Sequence, residues 1–369
     1  MQHDVVTFGE AMLRFVPQGD LRTEQAQAFT VTVGGGELNV AVGVSRLGFR
    51  SAWVSRLPDN ALGRLLLGKV REQGVCGDHV KMTKEGRCGL YFLEQGASPR
   101  AAAVLYDRAG SAISLIKPGE VDWDKVFAGV KRFHVSGITP ALSKGAAEVT
   151  REALLAARKA GCAVSYDLNY RSKLWTPAEA RACQEPLMQH VDLLITTEED
   201  TKVVFGVEAQ VAAGTDSQFP NSRSLSAAYR LGVSVPADEK FTSLDAAGYR
   251  SVAQQLAARF GFKGVAVTLR ENRSVWFNTW WGLYYDAPNK AFFEAPKCEL
   301  EIVDRVGAGD SFAAGLLSAL LIKPGDYDHA IRFAVAASAL KHSVPGDFAI
   351  ISRAEVETLM KGGGLRINR

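Results

Sequence analysis

Asp310 is the residue in this chain that its neighbours best place to move a proton. It follows Gly307, Ala308 and Gly309 in the run DRVGAGDSFAAGLLSALL (Asp304 to Leu321), whose later part is apolar at helical spacing. The three small residues leave the main chain nearly bare where a helix must begin. The unpaired N–H groups of its first turn can then converge on an anion, which makes the run a candidate phosphate cradle. A carboxylate at the mouth of the same turn can take the proton of a hydroxyl as that hydroxyl attacks phosphorus. The same residues also suit an ordinary turn with Asp310 as a helix N-cap, favoured by hydrogen bonding and the macrodipole alone. Two common nucleotide motifs are excluded: G-x-G-x-x-G needs glycine where Phe312 stands, and no G-x-x-x-x-G-K-[ST] run occurs.

The elements that would position such a site follow from periodicity. Residues 5–9 form a short apolar run, as a buried strand would, and alternation continues through Phe15. Gly34, Gly35 and Gly36 precede a helical pattern over 37–47, with Gly48 as its stop and Asn39 on its first turn. Residues 133–138 and 163–168 are apolar strands flanking a helical stretch, 146–160. That βαβ unit implies a parallel sheet with ligands beyond the carboxyl ends of its strands. Asp167-Leu168-Asn169-Tyr170-Arg171 falls at such an end. A further strand, 191–196, leads into Thr197-Glu198-Glu199-Asp200, which opens a helix. Residues 80–115 read as strands, including 90–93 and 101–106, which pair antiparallel in a small sheet. A helix over 246–260, a strand over 265–269 and a last apolar helix over 330–342 complete the pattern. Residues 207–245, rich in glycine, serine, proline and alanine, read as an insertion. Trp276, Trp280 and Trp281 read as packing aromatics rather than as a base-stacking cluster.

DRVGAGDSFAAG resembles the D-T-x-G-A-G-D signature of the PfkB (ribokinase-like) family of carbohydrate kinases. GGGELNVA (Gly34 to Ala41) with Arg46-Leu47-Gly48 resembles that family's amino-terminal signature, although Pro58 stands where the signature usually has glycine. GEAMLRF (Gly9 to Phe15) and DLNYRSKLW (Asp167 to Trp175) are similar to its ketodeoxygluconate kinase branch. The resemblance implies a single kinase domain over residues 1–369. Its core would be three-layered α/β/α with a mostly parallel sheet, and its small β lid would come from about 11–33 and 80–116. It implies transfer of phosphate from ATP, with Mg2+, to the terminal hydroxyl of 2-keto-3-deoxygluconate, with fructokinase-like or ribokinase-like kinases and a non-catalytic sugar binder as alternatives.

By the same resemblance Asp310 is the base, with Gly307, Ala308 and Gly309 holding the phosphoryl group. Gly34, Gly35, Gly36, Asn39, Tyr91, Tyr106, Arg108, Ile138, Arg171 and Asp347 would line the sugar site. A planar guanidinium such as that of Arg171 pairs bidentately with a carboxylate, as a sugar acid requires. Asn169, Thr197, Thr268 and Arg270 would meet the nucleotide, and Glu199 and Asp200 would act on magnesium through water. The chain departs from the family's N-x-x-E at 197–200, where a plain helix N-terminus fits as well.

A net charge of +3 on 369 residues, with 43 basic and 40 acidic side chains, gives no electrostatic case for nucleic acid or membrane. The five scattered cysteines lack C-x-x-C spacing, and Cys76 with His79 falls short of a zinc site. A cytoplasmic, homo-oligomeric enzyme is expected.

Overall fold

A computed structural model describes residues 2–97, 99–208, 246–272 and 274–362; the expected insertion, 207–245, lies outside the described residues from 209 onward. In chain order the strands are β1 (Val5–Phe8), β2 (Met12–Pro17), β3 (Phe29–Gly34), β4 (Ser51–Pro58), β5 (Val80–Thr83), β6 (Gly89–Glu94) and β7 (Ala103–Asp107). There follow β8 (Arg132–Ser136), β9 (Ala163–Asp167), β10 (Leu193–Thr196), β11 (Gly264–Asn272), β12 (Phe277–Asp286), β13 (Ala291–Glu294) and β14 (Cys298–Glu301).

The main sheet runs β13-β12-β11-β10-β9-β8-β1-β4-β5, with β14 also on β12. Pairing is parallel from β5 to β11 and turns antiparallel at β12. A central strand such as β1 is buried along its whole length because helices cover both faces of the sheet. Helices Lys144–Lys159 and Ala246–Phe260 pack on one face, in a core with Phe133, Tyr166 and Leu194. Gly36–Arg46, Ala308–Ile322 and Tyr327–His342 pack on the other, in a core with Leu193, Ile195 and Phe312. The architecture is therefore the expected three-layer α/β/α core.

A second, four-stranded sheet has the order β3-β2-β6-β7. It closes over Leu13, Val33, Leu38, Trp53 and Leu66, with Phe15, Phe29 and Phe92 in mutual ring contact. Two readings of this region are corrected. Residues 80–83 extend the main sheet beside β4 rather than the lid, and Ile113–Leu115 is a single 3-10 turn. The expected antiparallel pair is present as β6 with β7, and β2 joins β6 in parallel. Short alternating strands look alike at the edge of either sheet, so a period of two does not say which sheet they join.

Trp280 and Trp281 pack as expected, and one further helix appears. Trp280 and Trp281 are neighbours on β12, so they face opposite sides of the sheet and enter different cores. They are packing residues and form no common cluster. The helix Arg353–Met360 was not anticipated, although Ser352 and Glu355 form the reciprocal capping box that announces one.

Candidate active site

The sheet order brings the carboxyl ends of β1, β8, β9 and β10 to one edge, where two helices also begin. Gly36–Arg46 and Ala308–Ile322 meet there through Asn39 Nδ2, which donates to Asp310 Oδ2 at 2.7 Å across 271 residues of sequence. Asn39 Oδ1 accepts from the Gly35 amide. A Cβ on Gly36 would stand 3.6 Å from Asp310 Oδ1 and 3.8 Å from Ile138 Cδ1, so Gly36, Asn39, Ile138 and Asp310 are immediate neighbours. Glu37, unremarked in the sequence, fixes this corner. Its buried Oε1 accepts from the Ser136 amide, Ser136 Oγ and Thr139 Oγ1, tying the first helix to the end of β8.

Asp167, Asp347 and Glu37 lie within electrostatic reach of Asp310. Burial pushes the Asp310 carboxyl up to about 7, with the Asn39 hydrogen bond opposing and the Asp347 charge adding to the rise. Burial likewise raises Asp200 to about 6, and lifts Asp167 well above the carboxylate range with help from Asp310 and Asp200. Arg171 is the cation that favours the ionised forms of Asp310, Asp200 and Asp167. Its guanidinium is exposed and makes no hydrogen bond or ion pair among the described residues. Arg171 makes no ion pair with Asp167. Asn169, two residues earlier, holds a left-handed φ of 38° and donates to Asp167. That is an unusual backbone for a residue other than glycine, and such strain clusters at functional sites.

The lid contributes Tyr91 and Tyr106, whose rings lie 5.9 Å apart, and Tyr106 is 37% exposed. Arg108 lies beside the Tyr106 ring and pairs with the buried Glu10. Lys173 flanks the same ring and donates to the Val104 carbonyl at 2.7 Å, joining the loop after β9 to the lid. Asp347 is buried, accepting from Tyr91 Oη at 2.5 Å and from Arg14 Nη1 at 2.7 Å. Its Oδ2 stands where a Cβ on Gly34 would fall, 2.0 Å away.

The turn at Gly307–Asp310 leaves its first amides bare. Gly307 is the N-cap residue of Ala308–Ile322 at φ +82°, and a Cβ on it would strike the Asp347 carbonyl oxygen at 2.1 Å. Ser311 is the first residue whose amide reaches back a full turn, to the Gly307 carbonyl at 2.8 Å. The Gly309 and Asp310 amides ahead of it have no acceptor among the described residues, and Gly309 faces open space. Ser338 Oγ donates to the Ala308 carbonyl and holds the turn from behind.

The outer residues are less concentrated. Thr197 Oγ1 is used as a helix cap, accepting from the Asp200 amide, and Thr268 Oγ1 donates to the Thr196 carbonyl at 3.5 Å. Arg270 is exposed on β11, close enough to Arg305 for their charges to repel. Arg305, missed by sequence reasoning, donates to the Val275 carbonyl. Glu199 is exposed, and no group of three or more His, Cys, Asp or Glu side chains among the described residues is arranged to hold a metal ion.

The sequence model of the pfkB family carbohydrate kinases matches residues 2–228 and 237–352. A 2-dehydro-3-deoxygalactonokinase of Haloferax volcanii is 35% identical over the full length of both chains. A 2-dehydro-3-deoxygluconokinase of Thermoproteus tenax is 30% identical over 97% of this chain and 94% of its own. The crystal structure of a 2-dehydro-3-deoxygluconokinase from Thermotoga maritima superposes with a TM-score of 0.85 at 40% identity, covering 98% of this chain and 99% of that one. Two glycine motifs that converge on one carboxylate, in a fold and a sequence shared over nearly the whole chain, place this protein in the PfkB family of carbohydrate kinases, as a sugar kinase.

Proposed function

We propose that the enzyme phosphorylates the terminal hydroxyl of 2-keto-3-deoxygluconate, giving the 6-phosphate, with ATP as the phosphoryl donor. The observation that carries the acid part of this reading is Arg171, an unpaired guanidinium at the end of β9 beside Asp310. A neutral sugar has no use for such a group, whereas a sugar carboxylate pairs with it bidentately. Tyr91, Tyr106 and Arg108 are assigned to the sugar from the lid, and Gly34, Gly35, Gly36 and Asn39 to its floor. Relatives named for both C4 epimers of the acid support the class more firmly than the epimer.

In this reading Asp310 takes the hydroxyl proton as the oxygen attacks the γ-phosphorus, and the Gly309 and Asp310 amides hold the charge that develops on the phosphoryl oxygens. Magnesium, when bound, would neutralise charge on the phosphates. Asp200 and Glu199 are the acids assigned to it through water, and a metal carried mainly by phosphate needs no cage of protein ligands. Asn169, Thr197, Thr268 and Arg270 are assigned to the nucleotide. The lid shuts water out, which would otherwise compete with the sugar for the phosphoryl group.

The two cradle glycines separate fold from function. Gly307→Ala should destabilise the protein by about 2 kcal/mol through its left-handed backbone alone, with the clash against Asp347 in addition. Gly309→Ala should fold like wild type, since its Cβ meets nothing, yet raise KM for ATP by roughly tenfold, about 1.4 kcal/mol of lost phosphate contact. Thermal melts beside steady-state kinetics check both, and a destabilised Gly309→Ala would count against the open cradle.

A coupled ADP-release assay over the two 2-keto-3-deoxy acids, fructose and ribose tests the substrate. The expected order of kcat/KM is gluconate-derived acid, then galactonate-derived acid, then the neutral sugars. Preference for fructose or ribose would overturn the acid reading and leave a fructokinase-like or ribokinase-like enzyme. Sugar binding without ADP release would instead mark a binding protein.

A further inference from the structure

Arg14 belongs to the lid, on β2, yet it is 2% exposed and its partners lie in the core. One end of its fork donates to Asp347 at 2.7 Å and the other to Asp304 at 2.5 Å. Both aspartates grip the cradle. Asp304 Oδ1 accepts from the Val306 amide and its Oδ2 from the Gly346 amide, each at 3.0 Å, so one carboxylate clamps the segment before Gly307 to the loop after Tyr327–His342. The Asp347 main chain abuts Gly307, and its carboxylate abuts Gly34 on the sugar side. Lys341, fully buried, donates to the Asp304 and Val344 carbonyls and braces the same two loops from beneath. Tyr91, paired with Arg14 across β2 and β6, binds the same Asp347 oxygen from the lid.

We propose that Arg14 is a positioning residue that couples the lid to the phosphate cradle, so that seating the lid over the sugar sets the main chain that receives the nucleotide's phosphates. The proposal rests on the reading of Gly307–Asp310 as that cradle. A guanidinium spans two carboxylates at fixed geometry, which an ammonium on a flexible stem does not reproduce. A lid displaced from its seat carries Arg14 with it, leaving Asp304 and Asp347 as two buried like charges beside Gly307. Sugar and nucleotide therefore favour the same arrangement, and each tightens the other's binding by the same factor.

The test titrates a non-hydrolysable ATP analogue with magnesium into the whole enzyme, with and without a saturating amount of whichever sugar the wild type phosphorylates. In wild type the sugar should tighten the analogue by about tenfold, within the usual range of coupling between sites. In Arg14→Met that factor should fall toward one while the sugar still binds, and in Arg14→Lys it should be intermediate. Circular dichroism reports whether each variant is folded. Should Arg14→Met fail to fold, Arg14→Lys decides the matter: a reduced factor supports the coupling and an unchanged one overturns it. A wild type with no coupling overturns the proposal alone. An analogue that fails to bind wild type at all overturns the cradle and the coupling together. Because the readout is binding, an error over Asp310 or over the identity of the sugar leaves the result interpretable.

Discussion

Asp310→Asn is expected to lower kcat by about a thousandfold, the middle to upper part of what a positioned general base contributes, while sugar affinity stays within about twofold, a loss confined to the transition state. The substitution keeps the size of the side chain and an oxygen for Asn39 to donate to, so the packing with Gly36 and Ile138 should survive. A variant retaining a tenth of the wild-type kcat would rule out the base role. The same carboxyl sets the pH dependence. With its proton held up to about 7 by burial, kcat/KM should rise with pH at unit slope and level off above about 7. Arg171 favours the ionised form, so Arg171→Gln should move that inflection upward, and an inflection that stays put belongs to another group. Stability runs the other way. The folded protein keeps a proton on Asp310 that the unfolded chain, at the ordinary value of 3.8, releases earlier. Asp310 thus contributes stability that is present below that value and lost as pH rises through about 7.

The second large effect concerns recognition. Arg171→Ala should raise KM for a 2-keto-3-deoxy acid by roughly 10- to 100-fold, the range expected for losing hydrogen bonds to a charged group. KM for a neutral ketose, if one is turned over, should change by less than about twofold. Arg171 is a cleaner probe than Arg108 because it has no partner to orphan, whereas truncating Arg108 strands the buried Glu10. Equal effects of Arg171→Ala on acid and ketose would favour the fructokinase-like reading.

The layered core and both glycine motifs were legible because each rests on local pattern. Apolar runs of strand length alternating with helical spacing dictate a parallel sheet, and small residues before a helix dictate a bare first turn. Asn39 and Asp310 were each identified alone, and their hydrogen bond followed once the sheet order was known. Local pattern did not reveal what depends on distant pairing. Arg14 in GEAMLRF reads as a polar residue on an edge strand, and only the structure shows it buried between two aspartates some 300 residues away. Glu37 looks like an acid favouring a helix start, and its three donors come from around β8. The assignment of residues 80–83 to the lid failed for the same reason, because partnership and not periodicity decides which sheet a short strand joins.

The long reach between Asn39 and Asp310 also governs when the enzyme comes alive. Proteins whose contacts span large sequence separations close their costliest loops late in folding. A nascent polypeptide emerging from the ribosome would have its sugar floor and lid strands outside the exit tunnel well before Ala308–Ile322 arrives. On the proposed role of Asp310, the acid that activates the hydroxyl comes with that later helix, so a chain halted before it would hold the sugar floor and lid without the group that starts phosphorylation.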